Sequence, residues 1–202
     1  VAFALQEDGW YLRQDIIWHK PNPMPESVKD RCTKAHEYIF LLSKSPKYYF
    51  DNEAIKEDSK YYGKDKRSDK GNIRYEGKRT SNKDSKAQQS FVTINPKKNK
   101  RSVWTVTTKP FKGAHFATFP MDLIEPCVLS GCPENGTVLD PFGGSGTTGI
   151  VASNHNRKAV LIELNTEYIE IAKQRIQDQG GLFTDLEIIS GDSKVLNGDS
   201  RV

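Results

Sequence analysis

A glycine-rich loop sits between a short apolar run and a helix-forming segment: Asp140-Pro141-Phe142-Gly143-Gly144-Ser145-Gly146-Thr147-Thr148-Gly149, with Gly136-Thr137-Val138-Leu139 ahead of it. The loop spells G-x-G-x-x-G at Gly144, Gly146 and Gly149. Residues 136–140 read as a buried strand, 147–156 as a helix and 158–163 as the next strand. Glu163 closes that strand, 19 residues past Gly144. Strand, loop, helix, strand and acid in this order match a nucleotide-binding fingerprint. In it the glycines permit close backbone approach and the acid accepts ribose hydroxyls. The glycine pattern alone would also suit a structural turn; the order of elements gives it weight.

Asp140 discriminates among nucleotides. A dinucleotide loop offers backbone N–H groups to a pyrophosphate, and a carboxylate at its lip repels that ligand. Asp140 stands at that lip. It suits a ligand with an ammonium group and no phosphate, which favours S-adenosyl-L-methionine over NAD. Glu163 would then hold the ribose and Phe142 supply apolar wall.

Chain order adds a second constraint. Only 53 residues follow Gly149, room for two further strands at most. Residues 166–177 read as a helix and 186–189 as a strand, giving a parallel α/β unit. The rest of a doubly wound sheet must come from upstream. Strands are expected at 10–18 and 37–44, with a weaker one at 102–106. A helix is expected from 121 to 130, behind Pro120 at its first turn. The expected fold is α/β in a circularly permuted order, cofactor half last.

Between these halves lies a basic insert. Residues 55–101 hold 15 Lys and Arg against 6 Asp and Glu, while the remainder holds 15 against 20. The formal net charge of +4 conceals this division. Such a segment is a solvated loop, a surface for nucleic-acid phosphates, or both. The boundaries read as 1–54, 55–101 and 102–202.

Other signals exclude more than they assign. No apolar run approaches the roughly 18 residues of a membrane helix, and mean hydropathy is −0.67. Glu7, Asp8, Arg13 and Asp15 fall where a secretory leader would be apolar. Cys32, Cys127 and Cys132 form no C-x-x-C pair, so a disulfide framework and a structural zinc are not expected. A reducing cytoplasm is the expected location. His19, His36, His115 and His155 lack metal-ligand spacing. The chain opens at Val1, inside what reads as an element, and a fragment is expected.

These residues resemble the amino-group DNA methyltransferases, which modify adenine N6 or cytosine N4, in their circularly permuted class. Asp140-Pro141-Phe142-x-Gly144-x-Gly146-Thr147-Thr148 is similar to that class's cofactor loop. His115-Phe116-Ala117-Thr118-Phe119-Pro120 is similar to its H-x-A-x-F-P segment, which closes over the methionine end of the cofactor. Asp15-Ile16-Ile17-Trp18-His19-Lys20-Pro21-Asn22 looks like the strand and loop beside the target-base pocket, and His36 to Lys44 like the strand after it.

The resemblance implies a Rossmann-like S-adenosylmethionine-dependent methyltransferase sheet with the basic insert as target-recognition region. It implies cofactor contacts from His115, Thr118, Phe119, Asp140, Phe142, Gly144, Gly146, Thr147, Thr148 and Glu163. Nucleic-acid contacts are expected from Trp18, Lys20, Asn22, Lys64, Lys66, Arg67, Arg74, Arg79, Lys97 and Lys98. Trp18 as plain core is an equal expectation. The expected partner is double-stranded DNA with a flipped target base, and a cognate restriction endonuclease fits the class. No membrane partner and no metal are expected.

One departure stands out. The family's catalytic motif is an Asp, Asn or Ser followed by Pro-Pro and an aromatic residue, and none of the ten prolines here adjoins another. The expectation is a piece of an active enzyme whose motif lies upstream of Val1; a binding-competent but inactive piece is the other reading. That motif would accept hydrogen bonds from the amino group and localise its lone pair for attack on the sulfonium methyl. The competing classes are RNA methylation, a nicotinamide-dependent oxidoreductase disfavoured by Asp140, and a DNA-binding protein with a relic pocket. Carbon-5 methylation through Cys127 is disfavoured, since that thiol reads as mid-helix and buried.

Overall fold

The structure, a computed structural model, describes residues 1–59, 96–109, 118–179 and 186–190. The chain divides into two units, Val1–Ile55 with Arg101–Val202, and Lys56–Lys100.

The first unit opens with α1 (Ala2–Glu7), then β1 (Tyr11–His19) and β2 (His36–Ser43). Pro21, Pro23 and Pro25 lack N–H groups for a ladder, so no strand continues beyond His19. β1 and β2 pair antiparallel from Tyr11↔Ser43 to His19↔His36, with a register shift between Leu12 and Gln14. In the second unit, β3 (Glu57–Asp58) and β4 (Lys97–Lys98) form an antiparallel ribbon. Two-residue strands are too short to produce periodicity, and the sequence gives no sign of them. β5 (Val103–Thr105), in the first unit, joins β1 in parallel, so that sheet runs β2-β1-β5.

The C-terminal part carries α2 (Met121–Gly131), β6 (Thr137–Asp140), α3 (Thr147–Asn154), β7 (Lys158–Glu163), α4 (Thr166–Gln179) and β8 (Leu186–Ser190). β6, β7 and β8 are parallel neighbours in that order. Among the described residues the strands of the first unit pair as β2-β1-β5 and β6-β7-β8.

Burial explains which elements form. α3 is buried from Thr147 to Ser153, as a helix packed on all sides must be. α4 buries Ile169, Ala172 and Ile176 and turns Glu167, Glu170 and Lys173 to solvent. Ile150, Leu161, Ala172 and Ile176 make the core beneath the glycine loop. A second core unites Ile16, Trp18, Trp104 and Leu123, which seats α2 on the β1–β5 pair. His155, at the C-cap of α3, reaches Glu125 of α2 at 2.7 Å. The two helices are thus tied through a side chain that sequence alone leaves at the surface. Cys127 is half-buried and packs against the second core.

Candidate cofactor-binding site

The carboxyl end of a parallel sheet is where α/β folds bind ligands, because the loops there connect strand to helix. β6 delivers Asp140 to that edge, half-buried. Its Oδ1 accepts the Phe142 N–H at 3.0 Å, and its Oδ2 accepts the Thr148 hydroxyl at 2.6 Å. Each oxygen has two lone pairs, so the carboxylate keeps acceptor capacity for a cationic donor.

The loop turns through Gly144 at φ +51° and Gly146 at φ +79°. Gly146 caps α3 in the left-handed conformation, and a Cβ there would lie 3.0 Å from that of Ala172 and 3.1 Å from Ile176 Cδ1. Gly143 donates its N–H to the Ile162 carbonyl at 2.8 Å, and a Cβ at that position would stand 2.9 Å from Leu161 Cβ. The loop therefore lies closer to β7 at Gly143 than a Cβ allows without a shift, and close enough to α4 at Gly146 that a Cβ would crowd it.

Glu163, at the end of β7, closes the arrangement. Its Oε2 accepts the Gly144 N–H at 2.7 Å, and its Oε1 accepts those of Leu164 and Asn165, both at 2.9 Å. Three of about four acceptor sites on the carboxylate are filled, leaving one open. Acid and loop thus behave as one piece. A cradle of left-handed glycines flanked by two carboxylates fits an adenosyl ligand bearing an ammonium group and fits a pyrophosphate badly.

Phe142 and Leu164 follow the acids on adjacent strand ends and are 84% and 79% exposed. Side chains so exposed contribute little to the core and can cover a flat ring. Sequence reading missed Leu164; its signal is a large apolar residue directly after the strand-ending acid. Thr147 and Thr148 are buried. Thr118 and Phe119 are half-buried, and Phe119 shares with Asp140, Thr148 and Leu139 the wall of a cavity of about 450 Å³. The fold thus brings Phe119 and Asp140, far apart in sequence, to one cleft. His115 lies outside the described residues.

Of the residues expected at nucleic acid, Trp18, Lys20, Asn22, Lys97 and Lys98 are described. Trp18 is buried, and its indole N–H donates to the Val106 carbonyl at 2.8 Å. Lys20 pairs with Glu37, and its ammonium lies 4.4 Å from the centroid of the Trp18 ring. The Asn22 carboxamide donates to the Thr108 carbonyl at 3.2 Å and accepts the Thr108 N–H at 3.1 Å. Across the ribbon, Lys97 faces Asp58 at 3.4 Å and Lys98 faces Glu57 at 3.3 Å. Lys64, Lys66, Arg67, Arg74 and Arg79 lie outside the described residues.

A parallel β6-β7-β8 sheet with the glycine loop and two acids at its carboxyl edge is an α/β half of the methyltransferase type. The family model for N6/N4 DNA methylases matches residues 1–174, and the chain belongs to that family. It is 49% identical over 179 residues to the type II methyltransferase M.Cfr9I of Citrobacter freundii, covering 89% of this chain and 49% of that protein. Among solved structures it resembles the cytosine-N4-specific PvuII DNA methyltransferase, with a TM-score of 0.59 and 18% identity over 92% of this chain and 63% of that one. It also resembles an M1.HpyAVI–SAM complex, with a TM-score of 0.54 and 23% identity over 87% and 67% of the two chains. The chain spans about half the length of the curated relatives it matches.

Proposed function

We propose that this chain is the cofactor-binding part of an S-adenosylmethionine-dependent DNA methyltransferase acting on the exocyclic amino group of adenine or cytosine. The observation that carries the reading is a single glycine loop closed by two carboxylates, Asp140 and Glu163, in a chain of this family. When bound, S-adenosylmethionine supplies a methyl group activated by a sulfonium. Asp140 receives its ammonium group, Glu163 its ribose, and Phe142 and Leu164 cover the adenine. Phe119, Thr118 and His115 form the methionine side of the cleft.

The catalytic Pro-Pro-aromatic motif belongs to a part of the enzyme outside this chain, in a permuted order with the cofactor half last. The insert, residues 55–101, contacts DNA phosphates while the target base is flipped from the duplex stack at a cost of a few kcal/mol. A cytoplasmic enzyme paired with a restriction endonuclease fits the family, whose relatives here carry type II methyltransferase names.

Calorimetric titration tests the reading, with S-adenosylhomocysteine as ligand, NAD as control and Asp140→Asn alongside. Expected are binding of the first, none of the second, and about tenfold weaker affinity in the variant, the worth of a charge-assisted hydrogen bond. A folded protein that bound NAD and ignored S-adenosylhomocysteine would overturn it.

A further inference from the structure

We propose that Arg175 is a positioning residue for the cofactor loop, reaching from α4 to fix Ser145 between the two left-handed glycines. This role deepens the S-adenosylmethionine reading and rests on it.

The geometry begins with Ser145. It is buried at 5% exposure, flanked by Gly144 and Gly146, and its carbonyl needs a partner there. A single Arg175 nitrogen, Nη1, donates to that carbonyl and to the Ser145 hydroxyl, both at 2.6 Å, and stands 3.4 Å from Thr147 Oγ1. One guanidinium thereby holds the turn of the loop and the first residue of α3.

The same helix face supplies the seat. Ala172 and Ile176, three residues before and one after Arg175, are the side chains against which Gly146 packs. Glu163, on the strand that leads into α4, takes the Gly144 N–H. The loop is thus gripped at three successive residues, 144 to 146, by one strand–helix unit. Free glycine turns sample many conformations, and ordering one on binding costs conformational entropy. Arg175 meets that cost before the ligand arrives, so the amides around Gly144 and the Asp140–Thr148 pair are already in place.

A packing role would not need a cation. Burial disfavours the charged guanidinium and pushes its pKa down. An arginine kept there is retained for its donors rather than its stem.

Arg175→Met separates the two, since it keeps an apolar stem of similar reach and removes every donor. Arg175→Lys restores the charge without the planar fork. The full chain and both variants are titrated with S-adenosylhomocysteine, melted, and followed by amide hydrogen exchange without ligand. Expected for Arg175→Met is a loss of about tenfold in affinity, with faster exchange at residues 144–147 and unchanged exchange along 169–176. Expected for Arg175→Lys is an intermediate loss. Wild-type affinity and wild-type loop exchange in Arg175→Met would overturn the proposal. So would a loss accompanied by faster exchange throughout α4, which marks simple packing. If the parent chain itself ignored S-adenosylhomocysteine, the cofactor reading would fall, and loop exchange in Arg175→Met would still decide whether Arg175 orders the loop.

Discussion

At the scale of single residues, the site is held by conformations that few side chains can adopt. Gly146 combines φ +79° with a position where an added Cβ would crowd Ala172 and Ile176 at 3.0 and 3.1 Å. Gly146→Ala adds left-handed strain of about 1–2 kcal/mol to a crowded Cβ. Urea unfolding is expected to show a loss of about 2–3 kcal/mol, with S-adenosylhomocysteine affinity reduced as well; an unchanged midpoint would show that neither the left-handed backbone nor the crowding against α4 costs stability. Cys132 gives a pH-dependent counterpart. Burial pushes its thiol pKa up, and the nearby Arg157 guanidinium opposes this to a lesser degree. The folded chain therefore keeps the thiol proton at a pH where the unfolded chain, with a pKa of about 8.5, has lost it. The unfolded state binds fewer protons, so this group's contribution is fully present below about pH 8.5 and is lost as pH rises through the folded value. Melting temperatures from pH 7.5 upward are expected to fall more steeply for the wild type than for Cys132→Ala, and parallel curves would remove Cys132 from the account.

At the scale of elements, α2 is the piece on which the β1–β5 pair depends. Leu123 is 5% exposed and packs with Ile16, Trp18 and Trp104. Leu123→Ala removes a side chain from that cluster and is expected to cost about 2–5 kcal/mol by denaturant titration. Near-ultraviolet circular dichroism of Trp18 and Trp104 should weaken with it; a loss under 1 kcal/mol with unchanged tryptophan signals would deny α2 this role. The same elements show what a sequence discloses. β6, α3, β7 and α4 were legible because each pairs a clear apolar pattern with a glycine or acid at its end, such as Gly136 before β6 and Glu163 after Ile162. β1 was legible because Lys20-Pro21 stops it. The β3–β4 ribbon was not, since two residues carry no period and the partners Glu57↔Lys98 and Asp58↔Lys97 lie 41 and 39 positions apart. Arg175 was hidden for a related reason. On an amphipathic helix an arginine reads as solvated, and only the fold reveals that its side chain turns inward to Ser145. Asn22, expected at nucleic acid, uses its carboxamide in the folded chain to bind the Thr108 backbone.

At the scale of the whole molecule, charge is divided between segments and predicts how the protein meets a polyanion. Residues 55–101 hold a surplus of nine positive charges, and the rest of the chain a deficit of five. If the insert contacts DNA phosphates, affinity must fall with salt, each neutralised phosphate adding about 0.9 to the slope of log K against log salt concentration. The cations are not equivalent in this respect. Lys97 and Lys98 already face Asp58 and Glu57 across the ribbon, so phosphate contact there exchanges one anionic partner for another and releases few counterions. Replacing Lys64, Lys66, Arg67, Arg74 and Arg79 with serine is expected to lower the slope by roughly 4 units and to weaken binding to unrelated duplexes alike. Replacing Lys97 and Lys98 is expected to lower it by less than about 1. Fluorescence anisotropy with a labelled duplex between 50 and about 200 mM salt separates the two sets. A larger drop in slope on replacing Lys97 and Lys98 would place the phosphate contacts on the ribbon rather than at residues 64–79, and an unchanged slope in both would remove these seven cations from DNA binding.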